Sequence, residues 1–369
     1  MGMSTQNAAS ALLSPARLAD IDLPNRLVIA PMTRNRAEPS GAASELMARY
    51  YAQRASAGLI IAEASTPSAV GRTYPGIAAL YEDEHTRGWR RVNRCVGAAG
   101  GRMFAQIQHG GRVGHPDTSG LIPLAPSPIA LPEPIHTPNG RRPAVRPRQM
   151  GQGDIDATIA DFAAAARRAV AAGFAGVEVH AANGYLLHQF LAPNTNRRTD
   201  VHGGTPAARM RLVLEVVDAV IAQIGPDRVG VRISPGNTTN GIIESARDVE
   251  DLYPELISRL DERGPVYLHV AFADPDSGLW KRIRASWSRT LIGNPVLPVE
   301  GIPEDGGRVA GERMLEAGAD LVALGRPFLA NPDLVERIRI GAPVNAVREK
   351  YLMYVGGATG YTDYPTLAG

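Results

Sequence analysis

Val177-Glu-Val-His180, followed by Ala-Ala-Asn183-Gly-Tyr185, joins a short β-branched run to a small group of polar residues. Seven more runs of this kind punctuate the chain, at 27–30, 59–62, 103–107, 229–233, 266–270, 296–299 and 321–324. Most lack the in/out alternation of a half-solvated sheet, which is the pattern of strands covered on both faces. Amphipathic stretches fill the intervals. Thr205-Pro206 supplies an N-cap and a first-turn proline for a helix whose Met210, Val213, Leu214, Val217 and Ile221 share one face, closed by Gly225. Segments 154–172 and 248–263 repeat the design, each ending at a glycine, and Asn331-Pro332 caps another helix. Strands alternating with helices point to an α/β fold, a (β/α)8 TIM barrel, with an open doubly wound sheet as the alternative.

The third and fourth runs are much further apart than the others, and residues 121–150 between them carry eight prolines. Such a segment leaves little room for helix and reads as an insertion after strand 3, either a lid or hairpin over a site or a plain surface connection. In a barrel it lies at the carboxyl face, where active sites are built. The conspicuous polar residues gather at the same strand ends. Pro31, Met32, Thr33 and Arg34 follow the first run, Glu63 and Ala64 the second, and Gln106, Gln108 and His109 belong to the third. His180, Asn183 and Tyr185 follow the fourth, Arg232 lies in the fifth, and Gly325 and Arg326 follow the eighth. A barrel gathers them round one mouth, whereas each alone is more often a satisfied structural group.

Composition narrows the function. The 369 residues are 44% hydrophobic, so a large core can form and disordered or disulfide-scaffold classes fall away. A formal charge of +2 is too even to mark a nucleic-acid or membrane surface, and no run of about 18 apolar residues spans a bilayer. The start of the chain lacks the basic and apolar regions of a signal peptide, which predicts a cytoplasmic protein. Cys95 is the only cysteine, so redox chemistry would have to come from a cofactor, and Cys95 is expected in a helix as a bystander.

Gly325 offers a backbone amide that no side chain screens, and Arg326 a fixed cation. The pair suits a phosphate held in the loops after strands seven and eight, with 298–301 as the turn on strand seven. A strand-to-helix turn needing positive φ is the plain alternative for Gly325. No GxGxxG sits at a strand-to-helix junction, so a dedicated dinucleotide domain is not expected, and no metal-ligand spacing is present.

These residues resemble the old yellow enzyme family of FMN-dependent ene-reductases, also called NADH:flavin oxidoreductases. The densest resemblance is His180-Ala-Ala-Asn-Gly-Tyr-Leu-Leu-His-Gln-Phe-Leu-Ala-Pro-Asn-Thr-Asn-Arg-Arg-Thr-Asp-Val-His-Gly-Gly204. It is supported by Leu27-Val-Ile-Ala-Pro-Met-Thr-Arg34, Gln106-Ile-Gln-His-Gly-Gly-Arg112, Val231-Arg-Ile-Ser-Pro235 and Gly360-Tyr-Thr-Asp-Tyr-Pro365. The resemblance implies one FMN-binding barrel domain over 1–369, with 121–150 as its lid. It implies that Pro31, Met32, Thr33, Ala64, Gln106 and Arg232 contact the flavin ring, and that Gly301, Ile302, Gly325 and Arg326 hold the phosphate. His180 and Asn183 would bind the substrate oxygen, with Gln108 and Tyr354 lining the pocket, and Tyr185 would donate the proton. The implied reaction is reduction of an enone, nitroalkene or maleimide-like C=C bond by hydride from flavin N5. NAD(P)H would act as a transient reductant in the same pocket, giving ping-pong kinetics. The partners implied are small molecules, on a monomer or homodimer.

Several positions depart from the family pattern. Gln108 replaces a tryptophan, Glu300-Gly-Ile-Pro replaces Ala-Gly-Gly, Ala271-Phe-Ala-Asp replaces an acidic ending, and Asn237-Thr-Thr-Asn is unusual after Ser-Pro. A flavin dehydrogenase or demethylase and a flavin-free phosphate-binding lyase or isomerase are the alternatives. The first usually carries more cysteines or extra domains. For a Schiff-base aldolase the second needs a strand-end lysine, and neither Lys281 nor Lys350 lies at one.

Overall fold

The computed structural model describes residues 10–298 and 300–368. Eight short strands pair in parallel, each with the next: β1 Leu27–Ile29, β2 Leu59–Ile61, β3 Met103–Ile107, β4 Gly176–Ala181, β5 Val229–Ile233, β6 Tyr267–Ala273, β7 Thr290–Pro295 and β8 Leu321–Leu324. β8 pairs with β1 and β3 with β4, which closes the barrel. Helices follow in turn: α1 Glu45–Ala52, α2 Asp83–Ala98, α3 Gln152–Ala171, α4 Pro206–Ile224, α5 Ala246–Arg263, α6 Gly278–Ser286, α7 Arg308–Glu316 and α8 Leu334–Ile340. Their apolar faces cover the strands from outside, as the solidly apolar runs require.

Inside, the pleat sorts residues by height. Val28, Leu59, Phe104, Tyr267, Ile292 and Leu321 form an apolar floor, plugged from below by Leu18 and Leu23 of the hairpin Ala16–Leu18 with Ile21–Leu23. Two glycines make room for the aromatic rings of that floor. A Cβ on Gly230 would lie 2.0 Å from the Tyr267 ring, and one on Gly176 2.3 Å from the Phe104 ring. Two residues further along the same strands, the inward positions become Gln106, Glu178, Arg232 and His269, with His180 two residues beyond Glu178, so the polar layer sits toward the carboxyl end.

Local chemistry sets the helix ends. The Thr205 hydroxyl accepts from the Ala208 amide, Ser245 and Asp248 cap α5 reciprocally, and Gly264 ends α5 in the left-handed region. Cys95 lies exposed on α2.

The seventh strand is not at 296–299 but at Thr290–Pro295. Leu291 and Ile292 are buried, whereas Val296 is 62% exposed; Val299 is outside the described residues. The true strand contains Gly293 and Asn294, which disguise it as a turn, while Pro298 deprives the false one of a ladder donor. The cap at 331 also moves. Asn331 closes a short helix, Arg326–Ala330, and Asp333 begins α8, its carboxylate accepting from Arg337 at 2.7 Å.

Within 121–150, Ile135–Thr137 and Gly140–Arg142 form an antiparallel hairpin above a two-residue parallel pairing of Leu124–Ala125 with Arg148–Gln149. Arg112 fastens this segment to the loop after β5, donating to Ala130 O at 3.4 Å and to Asn240 O and Gly241 O at 2.9 Å. A Cβ on Gly241 would meet Pro132 at 2.8 Å, so the segment lies against a loop of the carboxyl face.

Candidate active site

A chain of hydrogen bonds crosses the barrel beneath the mouth. Gln106 Nε2 donates to Glu178 Oε1 at 2.7 Å, and Glu178 Oε2 lies 2.8 Å from His269 Nδ1. His269 Nε2 is 3.4 Å from Arg232 Nη1, and Arg232 Nη2 donates to Asn294 Oδ1 at 3.0 Å. Asn294 finishes the chain on Ala323 O at 2.9 Å. Burial pushes the Glu178 carboxyl up, but His269 and Arg232 outweigh it and hold it below the usual carboxylate range. Burial, with Arg232 adding to it, brings His269 down to about 4. At neutral pH the layer therefore holds an ionised Glu178, a neutral His269 whose Nδ1 carries the hydrogen, and a charged Arg232.

Above it stand the residues of the quoted motif. The His180 and Tyr185 rings are edge to face at 5.2 Å. Burial, then Arg232, His188 and His269, hold His180 well below its ordinary value, so its imidazole is neutral. Asn183 is in the left-handed region at φ 55°. The Tyr185 hydroxyl is 3.3 Å from the Tyr74 hydroxyl. Burial first, then Tyr74, raises the Tyr185 phenol well above 10, so it keeps its proton at neutral pH. Tyr354, 45% exposed, is close enough to raise the same phenol.

Pro31, Met32 and Thr33 continue β1 into the mouth, and Glu63 Oε2 accepts from the Arg34 amide at 3.0 Å. The Arg34 side chain donates to Met353 O at 2.6 Å and Gly360 O at 2.9 Å, tying the C-terminal segment over this end. Gly325 ends β8 with φ −94°, which rules out a positive-φ requirement. A Cβ there would come 3.1 Å from Met32 Sδ, so the absence of a side chain keeps the β1 and β8 ends close. Arg326 donates to Pro298 O, joining the strand-eight and strand-seven loops. Ile302 packs in one apolar group with Met32, Leu329 and Tyr364, whereas Gly301 is exposed with open space about its Cα. Ala64 and Gln106 are buried on adjacent strand ends.

Among the described residues, the buried side-chain atoms at this mouth without a partner include Arg232 Nε, His180 Nδ1, Asn183 Oδ1 and Gln108 Nε2. Buried polar atoms without partners point to a ligand that supplies them. Donors beside a fixed cation suit a flavin's pyrimidine edge, and the neutral His180 suits a carbonyl. The residues thus fit FMN and a small electrophile.

Sequence reading missed Tyr74, Glu178, His269 and Asn294. Glu178 and His269 had a usable signal: each is a polar residue inside an otherwise apolar strand, where a parallel barrel admits one only with a partner. Tyr74 lies in a loop and carried no signal.

Three buried neutral histidines carry an acid liability. Burial takes His109 and His269 to about 4 and His180 well below its ordinary value, whereas an unfolded histidine protonates near 6.5. Between those values the unfolded chain binds more protons, so stability rises with pH there. Resistance to urea is expected to fall from pH 7 to pH 5, by up to about 1.4 kcal/mol per pH unit for each histidine. An unchanged midpoint over that interval contradicts the assignment.

Residues 11–345 match the NADH:flavin oxidoreductase / NADH oxidase family. A probable flavin mononucleotide-dependent alkene reductase of Leishmania infantum is 38% identical over 96% of this chain and 97% of its own length. 12-Oxophytodienoate reductase 2 of Arabidopsis thaliana is 35% identical over 96% of each. Among solved structures, morphinone reductase in complex with tetrahydroNAD superposes with a TM-score of 0.89 at 39% identity, covering 97% of this chain and 98% of that one. The old yellow enzyme homologue of Zymomonas mobilis gives 0.90 at 35% identity, covering 97% and 100%. No described helix is long and apolar enough to cross a membrane. A flavin-free lyase or isomerase is set aside by this agreement. The chain belongs to the NADH:flavin oxidoreductase / NADH oxidase family, among the old yellow enzymes, and is an FMN-dependent NAD(P)H oxidoreductase of the ene-reductase class.

Proposed function

We propose that the protein reduces the activated C=C bond of α,β-unsaturated carbonyl and nitro compounds, maleimide-like substrates included, by ping-pong turnover in one barrel domain spanning 1–369. The observation that carries this reading is the grouping of neutral His180, Asn183 and protonated Tyr185 above the Arg232 layer. FMN, when bound, supplies the hydride. Arg232 would sit at the N1 and C2 side of the ring, where a cation stabilises charge gained on reduction. Pro31, Met32 and the Thr33 hydroxyl would meet the ring from β1, with Ala64 and Gln106 along the pyrimidine edge. Gly325 and Arg326, with Gly301 and Ile302, would hold the phosphate.

His180 and Asn183 donate to the substrate oxygen and draw electron density from the β-carbon, which accepts the hydride. Tyr185 then delivers its proton to the α-carbon, completing addition of two hydrogens across the double bond. A phenol raised further by burial remains protonated until that carbon acquires enolate character. NAD(P)H would use the same donors and leave before the substrate enters. The 121–150 segment, packed on the loop after β5, would cover the mouth.

Mixing the purified protein anaerobically with NADPH and then 2-cyclohexenone tests this. Bleaching by the nicotinamide and recovery of colour with the enone are expected; a colour that neither step changes overturns the reading. Gln108, 1% exposed with Nε2 unpartnered, sets the space beside the substrate. Gln108→Trp is expected to raise KM for bulky enones about ten-fold more than for cyclohexenone, because added volume in a closed site is poorly absorbed. Equal KM changes across a size series would remove Gln108 from the pocket wall.

A further inference from the structure

The turn that carries Asn183 and Tyr185 is held from below by a buried group that the reaction does not use. His188, wholly buried on the helix Leu186–Leu191, accepts the Gly184 amide at Nδ1, 3.0 Å away. Ser234 Oγ accepts the Asn183 amide at 2.8 Å and lies 3.5 Å from the same Nδ1. On the far side, His188 Nε2 is 3.2 Å from Tyr253 Oη and 3.4 Å from Glu244 Oε2. The Glu244 side chain is 2% exposed, accepts from Tyr253 Oη at 3.0 Å and takes the Gly236 amide at 2.9 Å. The loop 236–244 also reaches the turn directly, through Asn240 Nδ2 to Asn183 O at 2.8 Å.

A backbone amide can only donate, so Nδ1 must be bare and the imidazole hydrogen must sit on Nε2, facing the Glu244–Tyr253 pair. A buried carboxylate there stabilises that tautomer over the other. We propose that His188 is a positioning residue for Asn183 and Tyr185, and that Glu244, on the loop after β5, fixes the tautomer on which that positioning depends. The loop that departs from the family pattern thereby joins the site: its length and sequence set where the substrate-binding amide and the proton donor stand. This rests on the roles given to Asn183 and Tyr185 above.

Three measurements test it. Histidine-selective 15N NMR of the holoprotein, with the His188 signals assigned by difference from His188→Asn, is expected to show the Nε2–H tautomer of its neutral ring; an Nδ1–H form overturns the proposal. His188→Leu, which removes the acceptor, is expected to slow reoxidation by cyclohexenone about 10- to 100-fold, since small misplacements of reacting groups are costly. His188→Asn, whose Oδ1 can stand where Nδ1 stood, is expected to recover most of that loss. Equal rates for both variants, at equal melting temperatures, overturn the proposal. Glu244→Gln is expected to slow the same step in the wild-type background and to have little effect in His188→Asn; identical losses in both backgrounds overturn it. If the unaltered protein neither bleaches nor recovers colour, the functional reading falls, and the tautomer measurement alone decides the geometry.

Discussion

Tyr185→Phe is expected to slow reoxidation by 2-cyclohexenone about 10²- to 10⁴-fold, the usual contribution of a positioned general acid, while reduction by NADPH stays nearly unchanged. The reasoning is one of balance. Hydride addition leaves the α-carbon needing a proton, and among the groups placed at the mouth only Tyr185 and its neighbour Tyr74 are hydroxyl acids held protonated by burial. His180 is neutral and, in the proposed reading, given to the substrate oxygen, and Arg232 is committed to His269 and Asn294. Flavin reduction by a nicotinamide needs no such proton from Tyr185. Stopped-flow measurement of the two halves separates these demands. Equal loss in both halves would make Tyr185 a binding residue, and no loss in either would move the proton source to Tyr74 or water. The 3.3 Å contact between the two hydroxyls gives Tyr74 a route to resupply the proton, so Tyr74→Phe should have a smaller effect than Tyr185→Phe.

How much of this was legible beforehand follows from which forces act locally. Strand runs buried on both faces and helices with capped ends are written in nearest-neighbour chemistry, and seven of the eight strands stand where their apolar runs lie. The exception is instructive. β7 was hidden because Asn294 points into the barrel to serve Arg232, so a residue that usually marks a turn is required by a partner 62 positions away. Glu178 and His269 stand out as polar residues inside apolar strands, but what they serve makes sense only once β4, β5 and β6 lie side by side. The mouth residues His180, Asn183, Tyr185 and Arg232 were visible because their spacing after strand ends is itself local. The polar layer that supports them was not, since it is a property of the closed barrel.

That layer supplies the second large effect. Glu178→Ala is expected to destabilise the fold by about 3–5 kcal/mol at pH 7, the cost of breaking a buried ionic group by removing one partner. Glu178 is fully buried and accepts from both Gln106 and His269. Without it, the Gln106 amide and the His269 Nδ1–H lose their acceptors, and Arg232 is left with His269 and the neutral Asn294 in a site that water reaches poorly. Glu178→Gln retains one acceptor and the shape, so its cost should be smaller, and the difference between the two isolates the charge. Urea unfolding at pH 7 reads both. The pH dependence carries a sign that checks the assignment. The Glu178 carboxyl is held below its ordinary range in the folded protein, so its stabilisation is present above the unfolded value and is lost as pH falls through the folded one. The gap between wild type and Glu178→Ala must therefore narrow on acidification below about pH 4.5, never widen. If the variant unfolds at the wild-type urea concentration, Arg232 does not depend on Glu178 for its charge, and the polar layer is a set of separate hydrogen bonds rather than a single electrostatic unit.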